Sequence, residues 1–311
     1  MRTPTRQRGV ALITAMLIVA LVGSVAINIA WENALDLRRT MTLLYRDQAV
    51  HVALGAENWV QQILRDDLAD SNTDHLGEIW ASDLPGLPVE SDVVQGELFG
   101  SIEDLQGRFN INNLVDQNGE VDQLSLEQFQ RLLIVLDLDP RFAGIAADWI
   151  DTNREPAFPD GAEDAIYTGL LPAYRAANVS LTNATELAAL EGMDPQTLEV
   201  LLPHVVALPG RTAINVNTAT PEVLQSLDEN LSSSDVEGLI SDRAEGGFAD
   251  VESTFSALVS PDVLPLLEES SSYFQLRVVV QIATVRIIYF STLQRGAQGG
   301  VVPILRSFGT S

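Results

Sequence analysis

The chain has 311 residues, enough for two domains, with a formal net charge of −25 and no cysteine, so disulfides and thiolate metal sites are excluded. Residues 1–40 hold five Arg against two acids, so the remaining residues carry −28, a surface that repels nucleic acid and anionic headgroups. The three histidines (His51, His75, His204) stand far apart, which argues against a His-rich zinc site and leaves few candidates for a catalytic base.

Val10 through Ala30 is a run of 21 residues without a charge. As a helix it spans roughly 31 Å, close to a bilayer's hydrocarbon thickness. Arg2, Arg6 and Arg8 precede it without an acid, which predicts a cytoplasmic leader and places the bulk of the chain across the membrane. A secretory signal is cut after its apolar segment, whereas the leader-like junction here, Gly9–Val10, comes before it. A short basic leader ending in Gly and joined to an uncleaved apolar helix resembles a type IV prepilin or pseudopilin. Most members of those families carry Glu five residues after the cut, and Thr14 stands there in this chain. A plain N-terminal membrane anchor is the alternative.

No Pro interrupts residues 10–69. Leu37, Met41, Leu44, Gln48, Val52, Ala56, Trp59 and Ile63 recur every three or four residues, the stripe of an amphipathic helix. One helix of roughly 60 residues and about 90 Å is expected. Two helices divided at Asn33–Arg39 are the alternative. Asp70-Ser71-Asn72 is a stop signal, and residues 83–88 (D-L-P-G-L-P) read as a loop. Residues 93–102 and 108–114 read as strands.

From about 121 to 270 the texture is that of short helices. Ser125 can cap a helix carrying Leu126, Phe129, Leu132, Leu133 and Leu136. Asn183 with Glu186 makes a capping-box pattern, and Asp194-Pro195 and Thr220-Pro221 place an N-cap before Pro at the first helical position. Residues 273–280 and 283–292, β-branched and aromatic, are the best strand candidates. The tail 296–311, with four glycines and no clear period, is expected to be mobile.

Within the helical stretch, Asp148, Asp151, Glu155, Asp160, Glu163 and Asp164 fall inside 17 residues, with Asn153 among them. Crowded carboxylates are either solvated or share a cation. Oxygen ligands, a D-x-N spacing and Gly161 at a turn suit calcium, though the twelve-residue EF-hand pattern is absent. A solvated acidic loop is the alternative. Residues 214–219 (I-N-V-N-T-A) with the segments that follow look like a helix-hairpin-helix unit. Its hairpin position, 227–235, reads L-D-E-N-L-S-S-S-D, with acids where a phosphate-binding G-x-G turn belongs. A packing module is expected there, not a nucleic-acid site. No G-x-S-x-G, H-E-x-x-H or phosphate loop is present.

Taken together these features resemble the GspK family, the large minor pseudopilin of the bacterial type II secretion system. The resemblance rests on R-G-V-A-L-I-T without Glu, D-L-Q-G-R-F-N-I-N-N-L at 104–114, D-W-I-D-T-N at 148–153 with G-A-E-D-A-I-Y at 161–167, then P-A-Y-R-A-A-N, E-L-A-A-L-E-G-M and I-N-V-N-T-A in order. It implies an α+β fold: a pilin-like long helix on a small antiparallel sheet, with an inserted all-helical domain containing a helix-hairpin-helix (SAM-like) unit. The expected division is a leader at 1–9 and a transmembrane part at 10–31, then a head from 32–114 and 271–295. The inserted domain is 115–270, with a calcium loop at 148–167 and a hairpin unit at 212–258. It implies cleavage between Gly9 and Val10 by prepilin peptidase, with N-methylation of the new terminus. It implies structural calcium held among Asp148, Asp151, Asn153, Asp160, Glu163 and Asp164. Relatives often have Asp at position 153. The implied partners are the minor pseudopilins GspI, GspJ and GspH, with exoprotein substrates and the outer-membrane secretin beyond them. The implied role is mechanical, at the tip of a periplasmic pseudopilus anchored in the inner membrane. A membrane-anchored periplasmic hydrolase with a calcium-stabilised domain, or a DNA-uptake protein, are the rival classes.

Overall fold

The computed structural model describes residues 8–90, 95–244 and 246–309. Residues 1–7 of the expected leader and the start of the strand expected at 93 lie outside them. One unbroken helix, α1 (Arg8–Asp70, 63 residues), opens the molecule. At 1.5 Å per residue it is about 95 Å long, and no division occurs at Asn33–Arg39. From Val10 its first 20 or so residues are exposed along their whole circumference, and among the described residues α1 is the one helix long and apolar enough to cross a membrane.

After α1 come β1 (Leu84–Glu90), β2 (Gln95–Asp104) and the short β3 (Phe109–Asn110). The helices α2 (Gln123–Val135), α3 (Arg141–Ile150), α4 (Asp164–Tyr167) and α5 (Pro195–Leu201) follow. Next are β4 (Val205–Val206), β5 (Ile214–Asn215), α6 (Pro221–Ser226), α7 (Ser233–Arg243), α8 (Val251–Phe255) and β6 (Leu267–Glu268). The chain ends with β7 (Tyr273–Ile282), β8 (Val285–Arg295) and β9 (Val301–Phe308).

Five strands form one antiparallel sheet in the order β1-β2-β7-β8-β9. β2 and β7 are direct neighbours, with Asp104 opposite Phe274. The whole helical block therefore leaves and re-enters the sheet at one point. α1 lies against the sheet through Ala49, Ala53, Ala56, Val60 and Leu64, which pack with Phe274, Leu276, Val278, Val280 and Tyr289. The helical block has its own core, built on Phe109, Ile111, Phe129, Leu132, Ala146, Leu224 and Phe255 among others.

Four expectations are corrected. The buried face of α1 runs one position beside the predicted stripe: Leu37, Met41, Leu44 and Trp59 are exposed, Val52 and Ile63 are half-buried, and Ala56 alone of that set is buried. Large residues suggested the stripe, but small alanines let the helix approach the pleated sheet closely. The segment 83–88, expected as a loop, lies largely within β1. Two prolines are tolerated there because β1 is an edge strand with an irregularity between Leu84 and Leu87. Residues 108–114 pair for two residues and then coil into a 3₁₀ turn at Ile111–Leu114, buried in the helical core. The tail is no loose end. Gly296, Gly299 and Gly300 close a tight turn, with Gly299 at φ 79°, and β9 then pairs along β8.

The polar motifs do structural work. In D-L-Q-G-R-F-N-I-N-N-L the amides act as substitute backbone. Asn110 accepts from Leu208 N (3.0 Å) and donates to Gly210 O (2.9 Å), while Asn112 accepts from Leu181 N (2.8 Å) and donates to Leu208 O (2.9 Å). Asn113 makes the same reciprocal pair with Thr212, at 2.8 and 3.0 Å. Asp104, buried among its neighbours, accepts from Ser271 Oγ (2.6 Å), Thr218 Oγ1 (2.5 Å) and Asn215 Nδ2 (2.9 Å). These bonds weld the helical block to the sheet where it enters and leaves.

Candidate functional site

The acidic segment folds into a carboxylate centre at the end of α3. Asp148 stands in the last turn of α3, Asp151 caps that helix, and Glu163 caps the start of α4. All three are buried, at 0, 1 and 2 % exposure. Each has one oxygen engaged by the protein. Asp148 Oδ2 accepts from Ala157 N at 3.0 Å, Asp151 Oδ2 from Asn153 Nδ2 at 2.6 Å, and Glu163 Oε2 from Asp164 N at 3.3 Å. Each has a second, buried oxygen with no partner: Asp148 Oδ1, Asp151 Oδ1 and Glu163 Oε1. Gly161 lets the loop close over them, since a Cβ there would lie 2.2 Å from both Asp148 Oδ2 and Ala157 N.

The electrostatics follow. Burial, reinforced by the charges of Asp148 and Glu163, pushes the Asp151 carboxyl up to about 6. Burial raises Asp148 as well, and burial with the Asp148 and Asp164 charges raises Glu163. Three unpartnered anionic oxygens in a buried cradle are costly unless a cation or protons join them. Hard carboxylate donors of this kind fit calcium. Trp149 and Tyr167, edge to face at 4.9 Å, lie beside the centre, and Tyr174 packs on both.

Of the six residues expected in the centre, the fold brings these three together. Asn153 acts through Asp151, as above, and its carbonyl accepts from Asn178 Nδ2 at 2.5 Å. Asp164 turns to Ala176 N (3.1 Å) and Arg175 Nε (3.9 Å). Asp160 is half-buried, its backbone packed over Gly144. At the other end of the molecule, Thr14 Oγ1 donates to Val10 O at 2.8 Å within its own helix, so this position presents no charge. The Gly9–Val10 junction falls in the first turn of α1. In the loop between α6 and α7, within the segment 227–235 expected as a hairpin, Asp228 accepts from Asn230 N (3.0 Å) and Ser260 N (2.7 Å), so its charge is spent inside the protein. Sequence reasoning missed Glu57, a buried acid in α1 with Arg306, Tyr289 and Ser291 as partners. A charged residue interrupting a run of alanines is the one trace it leaves.

Two family models match the chain, both described as Type II secretion system (T2SS), protein K: one over residues 107–210, the other over 214–270. Both fall within the block between β2 and β7. The type II secretion system protein K of Pseudomonas aeruginosa is 36% identical over 316 residues, covering 97% of this chain and 93% of the relative. The chain belongs to the type II secretion system protein K family. The Aeromonas hydrophila relative of the same name is 30% identical, and the match covers 98% of both chains. The fold is similar to a chain in the crystal structure of the GspK-GspI-GspJ complex from the enterotoxigenic Escherichia coli Type 2 Secretion System. There the TM-score is 0.77 at 25% identity, covering 88% of this chain and 100% of that one. The α+β fold expected from the sequence, a long helix on an antiparallel sheet with a helical insertion, is thus the fold of this family.

Proposed function

We propose that this chain is a minor pseudopilin at the tip of the type II secretion pseudopilus. It is processed between Gly9 and Val10 by prepilin peptidase and anchored in the inner membrane with its remainder in the periplasm. It helps nucleate the pseudopilus and then rides its tip against exoprotein or the outer-membrane secretin. The observation that carries this reading is α1. More than half its length, from Val10 to Leu44, presents exposed apolar side chains that neither the sheet nor the helical block covers. Such a helix seeks other helices, as in bundles, and the likeness to a chain of the GspK-GspI-GspJ complex supports GspI and GspJ as the partners that supply them, with GspH a further member of the tip in this reading. Thr14 offers no carboxylate to a neighbour's terminal amine, and the helical block fills the space a lateral neighbour needs. Both favour a position with no subunit above. The role is mechanical and not catalytic. Asp148, Asp151 and Glu163 hold a structural calcium in this reading.

Cysteines placed singly along residues 37–52 of the Cys-free chain test it. Crosslinks are expected to go to other minor pseudopilins, and membrane-extracted protein is expected to begin at Val10. Abundant self-crosslinking along a filament, or unimpaired secretion when the chain is deleted, would overturn the tip assignment.

A further inference from the structure

A second crowd of acids stands at the C-terminal end of α1, outside the helical block. Asp67 lies in the last turn of α1, and Asp74 and Glu78 follow in the turn beyond it. One carboxylate oxygen of each lies within 4.8 Å of the other two. Each acid has committed one oxygen to the protein. Asp67 Oδ2 accepts from Arg295 Nη1 at 2.9 Å. Asp74 Oδ2 accepts from Ser271 N at 2.7 Å and pairs with Arg295 Nη2. Glu78 Oε2 accepts from Trp80 Nε1 at 2.7 Å and from His75 N at 3.1 Å. Asp74 is 1 % exposed, and its second oxygen, Oδ1, is buried without any partner.

Three carboxylates face one guanidinium and one imidazole, His75 Nε2 standing 3.9 Å from Glu78 Oε1, so negative charge is left in excess. Both terminal nitrogens of Arg295 are already engaged: it also donates to Leu64 O and Ser271 O and stacks over Phe274 at 4.8 Å. The helix end adds to the deficit, because the last turn of α1 contains no basic residue and its carbonyls carry the negative end of the dipole. Burial, with the charges of Glu78 and Asp74, pushes Asp67 up to about 7.

We propose that Asp67, Asp74 and Glu78 bind a divalent cation of the calcium type at the C-terminal end of α1, separate from the centre at Asp148. Three carboxylates supply half or fewer of the ligands calcium takes, and water reaches the half-buried Asp67 and Glu78 to complete the shell. The cation ties the last turn of α1 to the segment that follows. Asp74 is itself fastened to the helical block: its N–H donates to Glu269 O at 2.9 Å, and its carbonyl accepts from Asn215 at 3.0 Å. The bound ion therefore stiffens the joint through which force along α1 reaches the helical block.

Terbium(III), a luminescent ion of calcium's size, tests this on the full chain in detergent. Asp151→Asn first silences the centre at Asp148. In that chain, terbium emission excited through Trp80 is expected to saturate and to be displaced by calcium. Trp80→Phe is expected to cut the emission several-fold. Asp67→Asn and Glu78→Gln, which keep an acceptor for Arg295 and for Trp80, are each expected to raise the half-saturating concentration at least tenfold. No saturable emission in the Asp151→Asn chain, which is unaltered at the joint, overturns the proposal. So does emission that Asp67→Asn leaves unchanged. A melting temperature that rises on acidification through pH 7 but ignores calcium also overturns it, since the cluster then takes up a proton instead.

Discussion

Glu57 in the head and Asp151 in the helical block are both acids sealed inside the molecule, and they are kept there by opposite means. Burial alone would raise the pKa of Glu57, but hydrogen bonds from Arg306 (2.7 and 3.0 Å), Tyr289 (2.5 Å) and Ser291 (2.7 Å) outweigh it and hold the carboxyl below its usual range. Asp151 has acids as neighbours, and burial with their charges lifts it to about 6. The head supplies its counter-charge from its own last strand. The helical block supplies no internal counter-charge to Asp151, and in the proposed reading an ion from solution does. The contact of α1 with the sheet thus carries its own counter-charge, whereas the three acids of the helical block have none within the polypeptide.

The largest effect is expected where the internal counter-charge is removed. Arg306→Ala strands Glu57, whose side chain is 2 % exposed, in the interface between α1 and the sheet. Losing one partner of a buried pair costs about 3–5 kcal/mol. Arg306 is itself half-exposed and Tyr289 and Ser291 remain, so a loss of about 3 kcal/mol is expected. Glu57→Gln should cost less, because Arg306 then turns to solvent. Denaturant melts of both variants check this, and equal losses would show that the pair is not the asymmetric unit described.

Calcium removal should come next, and it should strike the other region. A ligand that binds only the folded state adds about 2.7 kcal/mol at a hundredfold excess over its Kd. EDTA is therefore expected to lower the melting temperature of the helical block and calcium to restore it, with residues 49–64 of α1 unaffected in regional hydrogen exchange. Asp151→Ala should remove the calcium-dependent protection of residues 148–164 and leave any calcium effect at the end of α1 in place. Its sign without calcium is the sharper test: removing one of three repelling carboxylates should leave the calcium-free protein no less stable, where Arg306→Ala destabilises at any calcium level.

The contrast between these regions was only partly legible in the sequence. The long helix, β7 and β8 were, because lack of Pro and β-branched runs are local signals. β9 was not: Gly296, Gly299 and Gly300 read as looseness, yet they make the turn that returns Arg306 to Glu57, 249 residues away in the chain. The Asn residues of 110–113 read as a polar strand because their partners at 181 and 208–212 are set by tertiary folding. The acid cluster at 148–164 stood out by density, but density cannot separate acids that turn inward from those that turn out. Asp67, Asp74 and Glu78 were invisible as a group until Arg295 drew two of them together.

Acidity should separate the regions by sign. A group whose folded pKa is raised, as for Asp151, contributes stability that is present below its unfolded pKa near 4 and is lost as pH rises through about 6. A group whose folded pKa is lowered, as for Glu57, contributes stability above its unfolded pKa and loses it as pH falls. With calcium chelated, opening of residues 148–164 should become harder as pH drops from 6 to 4, while the contact of α1 with the sheet weakens. Hydrogen exchange followed by mass spectrometry reads both in one experiment. Parallel slopes in the two regions would contradict the opposite environments assigned to the two acids.

The smallest effect tests which acids belong to the centre at all. Asp164 sits one residue from Glu163, and spacing alone groups it with the ligands. In the fold its Oδ1 accepts from Ala176 N at 3.1 Å and its Oδ2 faces Arg175 Nε at 3.9 Å, on a partly exposed surface. Asp164→Asn keeps an acceptor for Ala176 and removes a weak, solvated ion pair, so its stability should stay within about 0.5 kcal/mol of the parent. The gain in melting temperature on adding calcium should persist. Glu163→Gln, the neighbouring change, replaces a buried oxygen that has no partner and should cut that gain markedly. If the two variants lose the calcium response equally, the ion draws Asp164 inward on binding, and the centre is built from four carboxylates and not three.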